Sequence, residues 1–270
     1  MNSVLVQWPP VLGKQRFLSR AFASRHSDLD IDFDLPRPAL VTELLSSCLY
    51  GIDGEAIDAK SLWLWTVSER LQGLLAIANA STGDSTAAVA VCSNADCREQ
   101  IELQLGLSSF ADQEPTNQFG WLSPEGKKIS CRLPTGQDQL AWQNHAQAGH
   151  GAQDNDESWL AKRLIENTSK QSTPVQLPDT WIDSLGIALS TVDPLTALDI
   201  DISCPFCNQP LRVDMDLEQL IIEGLRLQQR RLIEQIHRLA YSYHWSETDI
   251  ASLPSWRRER YLARVIAERE

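Results

Sequence analysis

The stretch Cys204-Pro-Phe-Cys207-Asn-Gln-Pro-Leu211-Arg-Val213-Asp-Met215 decides the reading of this 270-residue chain. Two thiols two residues apart sit at its head, and behind them Leu211, Val213 and Met215 alternate with polar residues, the period of a half-buried strand. Ahead of them Leu198, Ile200 and Ile202 alternate in the same way. The pattern predicts a β-hairpin with two cysteines at its tip.

The same arrangement occurs earlier in the chain. Cys92-Ser-Asn-Ala-Asp-Cys97 follows the short apolar segment Ala87 to Val91 and precedes Ile101, Leu103, Leu105 and Leu107, which again alternate. Two cysteine-tipped hairpins form the layout of a zinc ribbon. Four thiolates at ~2.3 Å complete a tetrahedron around Zn2+, and four protein ligands leave no open position, so the ion is structural rather than catalytic. The expected ligands are Cys92, Cys97, Cys204 and Cys207. The first pair has the looser Cys-x-x-x-x-Cys spacing, and the 106 residues between Cys97 and Cys204 require an inserted lobe. Two other readings stand beside this one. The four thiols can be packed separately in reduced form, a reading that the repeated pair-then-strand pattern disfavours. A redox Cys-x-x-Cys wants a helix starting at the motif, whereas a strand is expected after Cys207. Cys48 and Cys131 lie in apolar periodic segments and are expected as core thiols.

Outward from the cysteines the chain reads as α+β: a zinc-ribbon-like small antiparallel sheet, an inserted α/β lobe, and helical N- and C-terminal segments. Residues 1–38, with scattered apolar residues and Pro36-Arg-Pro38, read as an extended arm carrying at most one short helix near Lys14 to Ala23. Residues 39–215 hold the core, with the lobe at 108–195. Helices are expected over 39–50 and 60–80. In the lobe a hairpin turns at Pro124-Glu-Gly126, Thr135 and Asp138 form a capping pair, and helices follow at 158–167 and 178–191. Residues 143–157 read as an exposed loop, in which His145 and His150 are expected to be solvated rather than ligating. Residues 216–270 form a helical module: one helix to about His244 with an apolar stripe, a capping pair at Ser246 and Asp249, and a last helix after Leu253-Pro254.

Charge is uneven. The chain carries 24 Lys+Arg against 36 Asp+Glu, a net charge of -12. From Arg226 onward nine Arg face six acids, giving +3, so the rest carries -15. The acidic balance argues against nucleic acid and against an anionic membrane. No apolar run approaches a membrane span. The opening residues lack the basic start and apolar core of a signal peptide, which points to the cytosol, where thiols stay reduced. No Gly-rich phosphate loop, Gly-x-Ser-x-Gly or His-Glu-x-x-His is present, and His237 and His244 lie two helical turns apart without an acid cluster. Nothing in the pattern points to an enzyme.

The C-terminal order carries a resemblance. Cys204-Pro-x-Cys207, the strand ending Asp214-Met-Asp216, the helix ending Ile236-His-Arg-Leu-Ala-Tyr-Ser-Tyr-His-Trp245, then Ser246-Glu-Thr-Asp-Ile250 and Leu253-Pro-x-x-Arg257-Arg258-x-x-Tyr261-Leu262 resemble the T-even phage baseplate protein family of contractile tails and tail-like injection systems. Arg132-Leu-Pro-Thr-Gly-Gln-Asp138 and the helices before Cys92 resemble it too. The likeness covers roughly residues 39–266; the arm and the 143–157 loop have no counterpart, and the loose first pair departs from a tight Cys-x-x-Cys. The resemblance implies a baseplate component or assembly factor with other baseplate or tail proteins as partners, cytoplasmic or incorporated in a particle. An assembly chaperone absent from the finished particle and a zinc-ribbon nucleic-acid adaptor are the alternatives. Its matching residues Trp245, Ser246, Asp249, Arg257, Arg258 and Tyr261 are expected to shape a helical docking surface with Trp245 as anchor. In the other reading, Trp245 and Tyr261 only pack the last helix on the long one.

Overall fold

The computed structural model describes residues 4–10, 14, 16–111, 118–147, 156–165 and 177–267. Its centre is a helix pair. Helix α1 (Arg37–Cys48) carries Pro38 in its first turn, where a missing N–H costs nothing, and buries Leu40, Val41, Leu44, Leu45 and Cys48. It is crossed by α3 (Val67–Thr82), where Leu74, Leu75 and Ile77 are wholly enclosed. The crossing is close because Gly73 has no side chain: a Cβ there would meet Leu45 Cδ2 at 2.6 Å.

The helix expected over 60–80 is two helices, α2 (Ala59–Leu64) and α3. The break is a capping box at Thr66. Its hydroxyl accepts from the Glu69 N–H (3.2 Å), and the Glu69 carboxylate accepts from the Thr66 N–H (2.8 Å). Arg70, fully buried one turn on, ties the junction together. It donates to Leu62 O, Thr42 Oγ1 and Pro38 O at 2.9, 3.0 and 2.6 Å, and burial pulls its pKa down to about 10.

The N-terminal region is not an arm. Strands β1 (Leu5–Trp8) and β2 (Phe17–Arg20) pair antiparallel, and β2 pairs with β3 (Leu49–Gly51) directly after α1. Phe17 to Arg20, expected within a short helix, is therefore strand. Trp8, Phe17, Phe22, Ile31 and Phe33 all enter the main core. The Trp8 indole donates to Gln72 on α3 (2.8 Å). Arg20 forks onto Asp28 at 2.8 and 2.5 Å, with both side chains enclosed. These aromatics follow no helical or strand period, which hides them from pattern reading, yet each fills a large volume of core.

The inserted lobe carries a hairpin of β6 (Gln118–Leu122) and β7 (Lys128–Arg132), then α4 (Gly136–Gln147), α5 (Asp156–Leu164) and α6 (Asp179–Val192). Its own core joins Trp121, Cys131, Ala161, Leu177, Trp181 and Leu185, with the two indoles edge to face at 5.4 Å. The expected capping pair is present: Asp138 accepts from Thr135 N (3.0 Å) and also holds Arg132 and Arg163. Part of the segment expected as a loop is helical, since α4 runs to Gln147 and α5 opens at Asp156. His145 stacks on Trp159 with centroids 4.7 Å apart, and His150 lies outside the described residues.

Helix α7 (Leu217–Tyr243) belongs to two cores. Leu217, Ile221, Ile222 and Leu225 join the main core. Leu232, Ile236 and Leu239 pack with α8 (Glu247–Ser252) and α9 (Ser255–Ala267). The protein is thus mixed α/β with small antiparallel sheets. Among the described residues no helix is long and apolar enough to cross a membrane.

Candidate metal centre

Two hairpins build the site. β4 (Ser85–Val91) pairs with β5 (Gln100–Gly106), and β8 (Leu198–Ser203) pairs with β9 (Pro210–Met215). Each strand alternates as its sequence demands, and the inward residues Ala90, Ile101 and Leu211, with half-buried Leu103, Ile202 and Val213, form one apolar cluster with the cysteines.

The two tips have the same backbone pattern. Cys92 N donates to Glu99 O at 3.0 Å, and Cys204 N donates to Gln209 O at 2.9 Å. The residue after the second cysteine is left-handed in both, Arg98 at φ 53° and Asn208 at φ 58°. Two extra residues in the first loop are taken up at Asn94. Its side-chain oxygen accepts from Asp96 N (3.0 Å), while its carbonyl accepts from Cys97 N and Arg98 N (3.0 and 3.1 Å). The looser spacing therefore still closes on an equivalent tip.

The four sulfurs meet. Cys92 Sγ lies 3.6 Å from Cys207 Sγ, Cys97 Sγ lies 3.8 Å from Cys204 Sγ, and all four fall within 4.8 Å of one another. A disulfide needs ~2.05 Å. The edge of a tetrahedron with ~2.3 Å metal–sulfur bonds is ~3.8 Å. Cysteines 107 and 115 residues apart thus stand at the separation that a shared metal ion requires. The four residues are placed so that they could hold one, as expected from the sequence.

Electrostatics agrees with that geometry. The Gln209 backbone N–H draws the Cys207 thiol down to about 7. At Cys92 the Asn94 N–H pulls the same way, but burial and the thiols of Cys207, Cys204 and Cys97 carry it up to about 12. Cys97 is raised by burial and by Cys207 and Cys204, against the Glu99 N–H. One thiolate can be held by amides alone; several together need a cation among them. No helix begins at Cys204, since β9 follows as expected, so the redox reading lacks its helix N-terminus.

One expectation is corrected. The strands behind the tips do not join in a single sheet: each hairpin is a separate two-stranded sheet. Both hairpins are amphipathic, so burial is achieved by bringing their apolar sides together rather than by pairing their edges.

The expected docking residues gather in the C-terminal module. Trp245 stacks on Tyr243 (4.8 Å) and meets Tyr261 edge-on (5.0 Å). Ser246 caps α8 by accepting from Asp249 N (3.1 Å), and its hydroxyl donates to the Asp249 carboxylate. Arg258 is buried and donates to Leu253 O (2.6 Å), Ala251 O (3.3 Å) and Gln235 Oε1 (3.3 Å). Arg257 is exposed over the Tyr261 ring. Tyr243 completes this aromatic group and was not singled out from the sequence; the alternation Tyr241-x-Tyr243-x-Trp245 was the available signal. The amides of Asn94, Glu99 and Gln209 that serve the sulfurs were invisible, because a backbone donor has no residue signature. Searches against known protein families, curated proteins and solved structures returned no match.

Proposed function

We propose that this chain is a structural or assembly component of the baseplate of a contractile phage tail or tail-like injection system, and that zinc fixes its architecture. The scaffold role rests on one observation, the four sulfurs of two distant hairpins gathered within 4.8 Å of one another. Four thiolates fill the coordination sphere and leave no position for substrate, so the ion orients elements rather than reacting. The hairpins bracket the inserted lobe in sequence, and β9 leads into α7. A metal clasp at their tips therefore sets where the lobe and the C-terminal module stand. The baseplate assignment is supported by the resemblance carried by residues 196–266.

Two measurements test this. Metal analysis of the purified protein should return one zinc per chain, and a metal-free folded protein refutes the scaffold. Proteomics of purified particles and of their assembly intermediates should find the chain in stoichiometric amount. Presence in intermediates alone assigns an assembly chaperone, and absence from both removes the baseplate reading.

A further inference from the structure

A cleft of about 750 Å³ separates the N-terminal segment 21–26 and the end of α3 from α7, α8 and the start of α9. Its lining is electrostatically unlike the rest of the molecule. The chain has 36 acidic residues, yet none of them is among the described residues that line this cleft, while Arg25, His26, Arg231 and Arg258 are. The acids that stand beside it include Glu247, which pairs with His26 (2.8 Å), Asp28, which accepts from the Ser24 and Arg25 N–H groups (3.1 Å each), and Glu259, whose charge acts on Arg258 without a salt bridge.

Arg258 is the informative member. It is 5% exposed, its Nε and Nη1 bond to neutral oxygens, and its Nη2 has no hydrogen bond among the described residues. A buried guanidinium with no carboxylate in salt-bridge contact is costly, and one with a free donor has capacity for an anion. Arg231, exposed on the facing helix, likewise makes no ion pair or hydrogen bond among the described residues.

The remaining lining says which anion. Gln228 and six Ser or Thr side chains contribute to it. Several of these hydroxyls already donate inward: Ser24 to Ala21 O (2.6 Å), Thr82 to Ala78 O (3.1 Å) and Ser252 to Asp249 O (2.7 Å). Ser24 also accepts from Arg20 Nη1 (3.3 Å), so what these three hydroxyls retain is acceptor capacity, which suits peptide N–H groups better than a phosphate, an acceptor itself.

We propose that this cleft binds an acidic peptide segment of a partner protein, whose Asp or Glu side chains pair with Arg231 and Arg258 while its backbone N–H groups bond the hydroxyls. That the partner is a protein rests on the assembly role proposed above; the anion preference rests on the cleft alone.

The test is a titration of the full-length protein with a labelled hexaglutamate peptide, with hexaglutamine and inorganic phosphate in parallel. Hexaglutamate should bind, weaken as salt rises, and lose about tenfold in affinity in R231E. R230E is the control, because Arg230 is an exposed neighbour outside the cleft and makes the same charge change. R230E should retain near wild-type affinity. Equal losses in R230E and R231E, or binding of phosphate without binding of the peptide, overturn the proposal. Neither result bears on particle composition, so the baseplate reading stands or falls separately.

Discussion

Among the described residues, twenty-five buried apolar side chains gather around α1, α3 and the first half of α7, whereas the paired hairpins share five, two of them cysteines. The first region excludes water from whole faces of helix and sheet and is held by burial. The second orders four strands and two loops for the enclosure of Ala90, Ile101 and Leu211. So little buried surface does not offset that ordering entropy. With the four cysteines placed where they could hold a metal ion, the proposed clasp would depend on coordination where the core depends on hydrophobic packing, and the two should then fail under different insults.

The largest effect should come from the metal. Structural zinc binding is on the order of 10 kcal/mol or more in small domains that fold around it. Replacing Cys204 and Cys207 together by Ser should abolish metal uptake. Hydrogen exchange should then accelerate through residues 85–106 and 198–215 while α3 keeps its protection. Uniform loss of protection throughout the chain breaks the comparison.

Leu44→Ala strikes the other region. Leu44 is fully enclosed on α1, so the cavity should cost about 2–5 kcal/mol in urea unfolding. Bound metal should stay stoichiometric under native conditions. Loss of metal in this variant shows that the two regions are coupled more tightly than their packing suggests.

Asp138→Asn tests the charged cap inside the inserted lobe. Burial works to raise the Asp138 pKa, but the Arg132 fork and the Thr135 N–H outweigh it and hold it at about 2. A carboxylate lowered in the folded state stabilises above its unfolded pKa, and that contribution drains away as pH falls through the folded value. With Arg132 and Arg163 partly solvated, about 1–2 kcal/mol is expected at neutral pH. The gap between wild type and variant should close as pH drops from near 4 toward 2. A gap that stays constant over that window assigns Asp138 a packing role only.

The smallest expected effect separates the two tips. Arg98 and Asn208 both lie at positive φ, in the left-handed region that asparagine enters at lower cost than arginine. Arg98→Gly should raise the stability of the metal-bound protein by up to about 1 kcal/mol, whereas Asn208→Gly should change it little. Equal thermal shifts for the pair remove the equivalence drawn between the loops.

The candidate ligands were legible because chelation has a chemical signature: cysteines at short spacing beside strands of strict alternation. The amphipathic helices were legible through period, and the Ser246 and Asp249 cap through residue type. The N-terminal strands were not, since Trp8, Phe17, Phe22, Ile31 and Phe33 have no common period and join the core only through partners far along the chain. The division of α2 from α3 was signalled by Thr66 and Glu69, but Leu62, Trp63, Leu64 and Trp65 masked it with an unbroken apolar run. Nothing in the local pattern marks Arg70 and Arg20, which are enclosed in the structure by partners far along the chain.

By itself the sequence determined the local units: two cysteine-tipped hairpins, the amphipathic helices and their caps. Each depends on residues within a few positions of one another. Tertiary structure decided that Cys92 faces Cys207 and Cys97 faces Cys204, that the hairpins meet by their faces, and that Trp8, Phe17, Phe22, Ile31 and Phe33 complete the main core. Those outcomes depend on which distant surfaces exclude water together, and no local period encodes that.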